Sequence, residues 1–200
     1  NNIALGQNNN SKYYFQYGTA SGTFDSTPAI TSLTTITMQG NTLSIGGTSV
    51  TLTAQTFTGT SNLTSFAYNK GNAYIGDFGT LRDNYFKIYD NNDTLLKDFI
   101  PVLDNNNVAC LFDNTSNEFY YNGGEGTFTY GTAGTQVTIS DKARPVTKMY
   151  VGVANTYTPV EYIESSGTQF IDAGLKALDL MTTGKIEEQA QYSNTSTRQQ

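Results

Sequence analysis

At 200 residues the chain is long enough for one sizeable domain, or one domain with a small appendage, built on a single hydrophobic core. A net charge of −6, with 11 Lys and Arg scattered along the chain, argues against a nucleic-acid-binding face; the absence of His removes Ser-His-Asp hydrolysis, histidine-ligated zinc and haem on a His ligand. Charged residues make up only 14% against 14 Tyr and 11 Phe, a vocabulary of strands and turns, and no apolar run approaches the ~18 residues of a membrane-spanning helix.

The chain opens on Asn1-Asn2-Ile3-Ala4-Leu5-Gly6-Gln7, without an initiator Met or the charged and apolar blocks of a signal peptide, so a piece of something longer is expected. From Ile30 apolar residues recur at short spacing through Leu33, Ile36, Met38, Leu43, Ile45, Val50 and Leu52. Gly46-Gly47 supplies residues that tolerate positive φ, which predicts a tight hairpin between Leu43–Ile45 and Thr48–Thr53. A second hairpin runs from Tyr85–Tyr89 through Asp90-Asn91-Asn92-Asp93 into Leu95–Ile100. Asp104-Asn105-Asn106-Asn107 then turns the chain into Val108–Phe112, and Asp113–Asn117 turns it again into Glu118–Tyr121. The lone Cys110, in the apolar run Val108–Phe112, reads as a small buried hydrophobe. Lys142, Arg144 and Lys148 read as a solvated strand edge. Lys176–Met181 is too short an apolar cluster for a firm helix, and Lys185–Tyr192 alternates like a strand but is equally open to a short helix.

Chemistry-bearing residues are few. Asp90, Asn92 and Thr94 occupy alternate positions as in a calcium loop, but Pro101 stands where the closing Glu belongs, so a hairpin turn is the better reading; Asp104–Asn107 is judged the same way. The carboxylate pairs Glu118 with Glu125, Glu161 with Glu164 and Glu187 with Glu188 do not form the E-x-D-x-x-E strand pattern of sandwich-type glucanases, and adjacent Glu187 and Glu188 would face opposite sides of a strand. No catalytic residue, cofactor or metal ligand is assigned, with calcium the one cofactor left open. The glycine-rich Asn122–Thr127 stretch lies between strand-like segments rather than before a helix, so it reads as a tight turn and not a phosphate cradle. The excess of Tyr, including Tyr13, Tyr17, Tyr121 and Tyr130, points to a binding or assembly surface.

Several of these stretches occur in a familiar order. Phe86–Asp90, Lys97–Val102, Val108–Asp113, Phe119–Asn122 and Gly126–Phe128 resemble the closing half of concanavalin A-like (laminin G-like) jelly-roll domains, which are common in bacteriophage and prophage tail and fibre proteins. Lys142–Val153 is similar to a short β-connector of the same proteins, and Pro159–Gly174 resembles the opening of such a domain placed at the wrong end. The resemblance implies a permuted order: residues 1–131 a jelly-roll body lacking its first strands, 132–158 a connector, and 159–200 the opening strands of a jelly roll. It implies scaffolding or carbohydrate-binding roles and transfers no specific functional residue.

The expectation is therefore an all-β, two-sheet antiparallel jelly-roll sandwich, completed by 159–200 of the same or a neighbouring copy. Its core would comprise Leu33, Ile36, Leu43, Ile45, Leu52, Phe66, Phe86, Ile88, Phe99, Ile100, Cys110, Leu111, Phe119 and Phe128. Tyr162, Ile163, Phe170 and Ile171 form the candidate assembly segment, since they would be stranded in water if unpaired. The long connector favours exchange between copies, hence a homo-oligomer or head-to-tail filament. The function expected is a non-enzymatic structural or adhesive module of an extracellular fibre, such as a phage tail or head fibre on a virion surface. The alternative is a lectin-type domain for surface glycans, and neither nucleic acid nor membrane insertion is expected.

Overall fold

A computed structural model describes residues 2–7, 12–24, 31–56, 58–69, 75–76, 79–139, 156–177 and 183–192. Every regular element among them is a β-strand of two residues or more, and every strand pair is antiparallel. The large sheet carries, in spatial order, β13 (Glu118–Tyr120), β12 (Ala109–Asp113), β11 (Leu95–Leu103), β10 (Leu81–Tyr89), β19 (Lys185–Tyr192), β4 (Thr34–Gln39), β5 (Thr42–Ile45) and β6 (Thr48–Thr51). Over its inner face lie a three-stranded sheet of β1 (Asn2–Gln7), β2 (Tyr13–Gly18) and β3 (Ala20–Phe24), and two strand pairs. These pairs are β7 (Asn62–Ser65) with β18 (Ile171–Lys176) and β8 (Tyr68–Asn69) with β9 (Ile75–Gly76). The arrangement is sandwich-like: Tyr13, Phe15 and Tyr17 of β2 share one core with Ile36, Ile88, Phe99 and Ile186 of the large sheet.

The turns explain why the strands are short. Gly46 and Gly47 have φ of 54° and 83°, the double left-handed conformation that a two-residue hairpin demands. Three further turns reuse one device. The Asp90 carboxylate accepts the amides of Asn92 and Thr94, that of Asp104 accepts Asn106 and Val108, and Asp113 accepts Thr115; each turn then closes on a left-handed residue, Asp93, Asn107 or Asn117. Asp113 does more, since it is fully buried and also takes the Asp98 amide, the Thr115 and Ser116 hydroxyls and the Lys97 ammonium at 2.9 Å.

Alternation along the strands sets the core. Thr34, Ile36 and Met38 face inward on β4, so Leu33, one residue out of phase, is 48% exposed and is not a core residue as expected. Ile36, Leu43, Ile45, Phe66, Phe86, Ile88, Phe99, Cys110, Leu111 and Phe128 are buried. Leu52, Ile100 and Phe119 are only partly buried and pack at the edges of the core. Ile100 and Phe119 join Val102, Cys110 and Phe112 in a second cluster on the outer face of β11 and β12. Burial, then the Asp104 charge, pushes the Cys110 thiol up to about 12, which keeps it un-ionised. Residues 185–192 are a strand and not a helix. The connector's residues 140–155, with Lys142, Arg144, Lys148 and Met149–Val151, lie outside the described residues, as do Ile30 and 178–182.

Candidate functional site

The segment 156–192 supplies four strands, and each pairs with strands from earlier in the chain. Strand β16 (Thr156–Pro159) pairs with β11 and with β15 (Val137–Thr138); β17 (Ile163–Glu164) pairs with β10 and with β14 (Thr129–Tyr130). β18 pairs with β7, and β19 lies between β10 and β4. The strands β10 and β11 pair only from Phe86↔Phe99 toward their shared turn; β16 and β17 occupy the fork beyond.

Between these pairings, residues 159–171 are stitched to 122–134. The Gly123 and Glu125 amides donate to the carbonyls of Phe170 and Thr168 at 2.9 and 3.1 Å, and the Gly131 and Gly134 amides to those of Tyr162 and Pro159 at 3.0 and 2.8 Å. The Asn122 side chain accepts the Phe170 amide at 3.1 Å and donates to Gly126 at 2.9 Å. Glycine makes this contact possible: a Cβ on Gly124 would sit 2.1 Å from the Thr168 carbonyl oxygen, and one on Gly123 2.6 Å from the Phe170 ring. The glycine-rich stretch is thus not the tight turn its sequence suggests: it bends at 124–126 without reversing the chain and serves as a rail for a second segment.

The four candidate assembly residues all lie along this seam. Ile163 and Ile171 are 0% and 1% exposed, each burial being worth roughly 2 kcal/mol of transfer free energy. Phe170 lies against Gly123; Tyr162 lies against Gly131 and under the Arg82 guanidinium, 4.6 Å from its ring centroid. Arg82 also reaches Glu164 at 3.1 Å, so Glu164 serves the seam rather than a carboxylate pair with exposed Glu161. Glu118 and Glu125 are both exposed.

A second constellation was not singled out from the sequence. Asp83 on β10 and Glu188 on β19 face the interior between the layers, with Tyr13 and Tyr192, whose rings meet edge to face at 6.3 Å. Asp83 is fully buried; its Oδ2 receives a long bond of 3.5 Å from Ser65, and its Oδ1 has no hydrogen-bond partner. Burial, then the Glu188 charge, drives the Asp83 carboxyl well above its ordinary range, despite the opposing Ser65 and Tyr85 hydrogen bonds. Burial lifts Glu188 to about 7, and lifts Tyr13 to about 12 with help from Glu188. Glu188 keeps some solvent contact through a cavity of ≈ 100 Å³ that it lines, although protein packs round it as densely as round an interior group. Glu187 is on the opposite face, against Tyr85, as strand alternation predicts.

Of the turn candidates, Asp90 and Asp104 spend a carboxylate oxygen on two backbone amides each. Among the described residues no three acidic or thiol groups converge to hold a metal ion, and no helix is long and apolar enough to cross a membrane. Tyr121 and Tyr130 are about half exposed, whereas Tyr13 and Tyr17 are buried. No family model, curated protein or solved structure matches the chain.

Proposed function

We propose that the chain is a non-enzymatic structural or adhesive module of an extracellular fibre, of the jelly-roll kind its motifs resemble in phage tail and head fibres. Its residues 159–200 complete the sandwich, and exchange of this segment between copies extends a head-to-tail filament. The observation that carries this reading is the position of β19, inside the large sheet between β10 and β4. A segment that fills an interior slot leaves two unpaired edges when it departs, so a neighbour's copy of it is the natural replacement. Thr138 and Thr156, which stand on either side of the connector's residues 140–155, pair with each other. The segment 156–192 therefore begins beside residue 138, and the same pairings are available to a segment arriving from another copy.

Deleting 159–200 tests the first half. The truncated chain is expected to lose cooperative unfolding or to melt lower by more than about 10 °C; unchanged melting of a soluble monomer refutes completion by this segment. Light scattering on the full chain over a hundredfold range of concentration tests the second half. Growing species are expected, and a monomer throughout restricts the segment to its own sandwich.

One surface favours a second reading, glycan binding. The exposed Tyr121 ring stacks on Phe119 at 6.2 Å, and its hydroxyl donates to Asp104 at 3.1 Å beside exposed Asn105 and Asn106. On a glycan array this reading expects saccharide-specific retention that Tyr121→Ala abolishes; silence across the array removes it.

A further inference from the structure

The cavity between the layers combines features that assembly does not require. Its walls are Ile3, Leu5, Leu63, Phe86 and Ile186, apolar but for Glu188 and a few amide and hydroxyl groups. Those polar groups are spent elsewhere: the Thr64 hydroxyl donates to the Ala67 carbonyl, Asn69 to the Asn62 carbonyl and Asn62 to Asp172. Behind Glu188 stands Asp83, wholly buried with an orphaned Oδ1. The charged and titratable groups acting on this pair are one another, Tyr13 and Tyr192, all of them acidic. Two carboxylates so placed, with no cation among the described residues facing them, must take up protons or a positive ligand.

We infer that this cavity binds a small primary ammonium ion, the charged head on Glu188 and a short alkyl body among the apolar walls. An ammonium offers three donors to a carboxylate that has no hydrogen-bond partner among the described residues, and its charge offsets Asp83 as well. Phe86 and Tyr68 in the wall suit a cation's flank. The body is limited in size: since an apolar cavity of about 150 Å³ holds a benzene ring, this one admits roughly four or five non-hydrogen atoms. A bare metal ion fits worse, because hard cations want about six oxygens and the walls offer mostly carbon.

The test is a titration of the full chain at pH 8 with n-butylammonium chloride, its uncharged analogue 1-butanol and calcium chloride. It is followed by calorimetry and by the methyl resonances of Ala67, Ala177, Ile3 and Met38, all of which line the cavity. Butylammonium is expected to shift those methyls and to bind at least tenfold tighter than 1-butanol. Glu188→Gln, which keeps the shape and removes the charge, is expected to weaken it tenfold or more, as is lowering the pH to 5. Equal binding of 1-butanol overturns the inference without any variant. Unchanged affinity in Glu188→Gln, shifts confined to other methyls, or calcium displacing the amine also overturns it.

Discussion

Glu188 and Asp113 are both carboxylates in the sandwich, and their surroundings push them in opposite directions. Burial opposes ionisation of Asp113, but the Asp98 amide and then the Ser116, Lys97 and Thr115 donors outweigh it and hold the carboxyl below its ordinary range. Lys97 responds in kind: burial works against its charge, and the bonds to Tyr120 and Asp113 overcome that and raise it. Stability drawn from Asp113 is present above the unfolded carboxyl range and is lost as the pH falls through its folded value. Glu188 has the reverse sign. The folded chain keeps its proton up to about pH 7, whereas the unfolded chain releases it near 4.5, so the folded state holds more protons in that window and stability falls as pH rises across it. Replacing Glu188 by Gln is therefore expected to make the protein more stable at pH 8, by about 3 kcal/mol, with little change below pH 4.5. Urea unfolding at pH 4, 6 and 8 measures this. Some slope remains in the variant because Asp83 is raised by its own burial.

At the scale of elements, the glycine rail gives an internal comparison. Gly124 would drive a Cβ into the Thr168 backbone at 2.1 Å, while at Gly134 the nearest atom, the Pro159 carbonyl oxygen, is at an ordinary 3.5 Å. Gly124→Ala is expected to cost about 2–3 kcal/mol through displacement of the seam, and Gly134→Ala less than about 0.5 kcal/mol, in chemical denaturation. Equal costs would mean that 168–170 yields freely and that the rail has no role. The strands and turns around the rail are legible in the sequence, because alternation and Asp/Asn/Gly turns act over a few residues. The hairpin β5–β6 falls within two residues of its predicted span; β10–β11 has its turn where predicted, but β10 begins four residues earlier and β11 ends three residues later than the alternation alone marks. The acidic pair is not legible, for two physical reasons. A bulge between Asp83 and Tyr85 breaks the alternation and brings Asp83 onto the inner face with Phe86 and Ile88. Alternation alone sets Glu188 on the face of Ile186, Ala190 and Tyr192, but its meeting with Asp83 follows from the insertion of β19 between strands remote in sequence, and no local pattern encodes that. Leu33 marks the same limit in miniature, since one step of phase decides its face.

For the whole molecule, the sheet consists of two blocks. The meander β10 to β13 and the meander β4 to β6 are each local in sequence, and β19 is the strand that joins them. Its ladder with β10 runs from Leu81↔Tyr192 to Tyr89↔Lys185, and its ladder with β4 from Thr34↔Ala190 to Gln39↔Lys185. The side chains between these ladders, Ile186, Ala190 and Tyr192, are core residues that neither block can supply itself. Any ligand held at Glu188 consequently sits on the joining strand, with one block on either side.

The order of those blocks along the chain governs how the molecule comes into being. Everything that β19 pairs with precedes it, and Met38 must wait for Ile186 before its ladder can close. On a ribosome the two meanders emerge and can fold on their own local contacts, but their facing edges stay open until residues 185–192 have been synthesised. Closing the sheet across so long a loop is slow, and an open edge held for that time invites pairing with the same edge of a neighbouring nascent chain. The central strand therefore makes synthesis itself the moment of greatest exposure to aggregation, and gives prompt translation or a holding chaperone its value there.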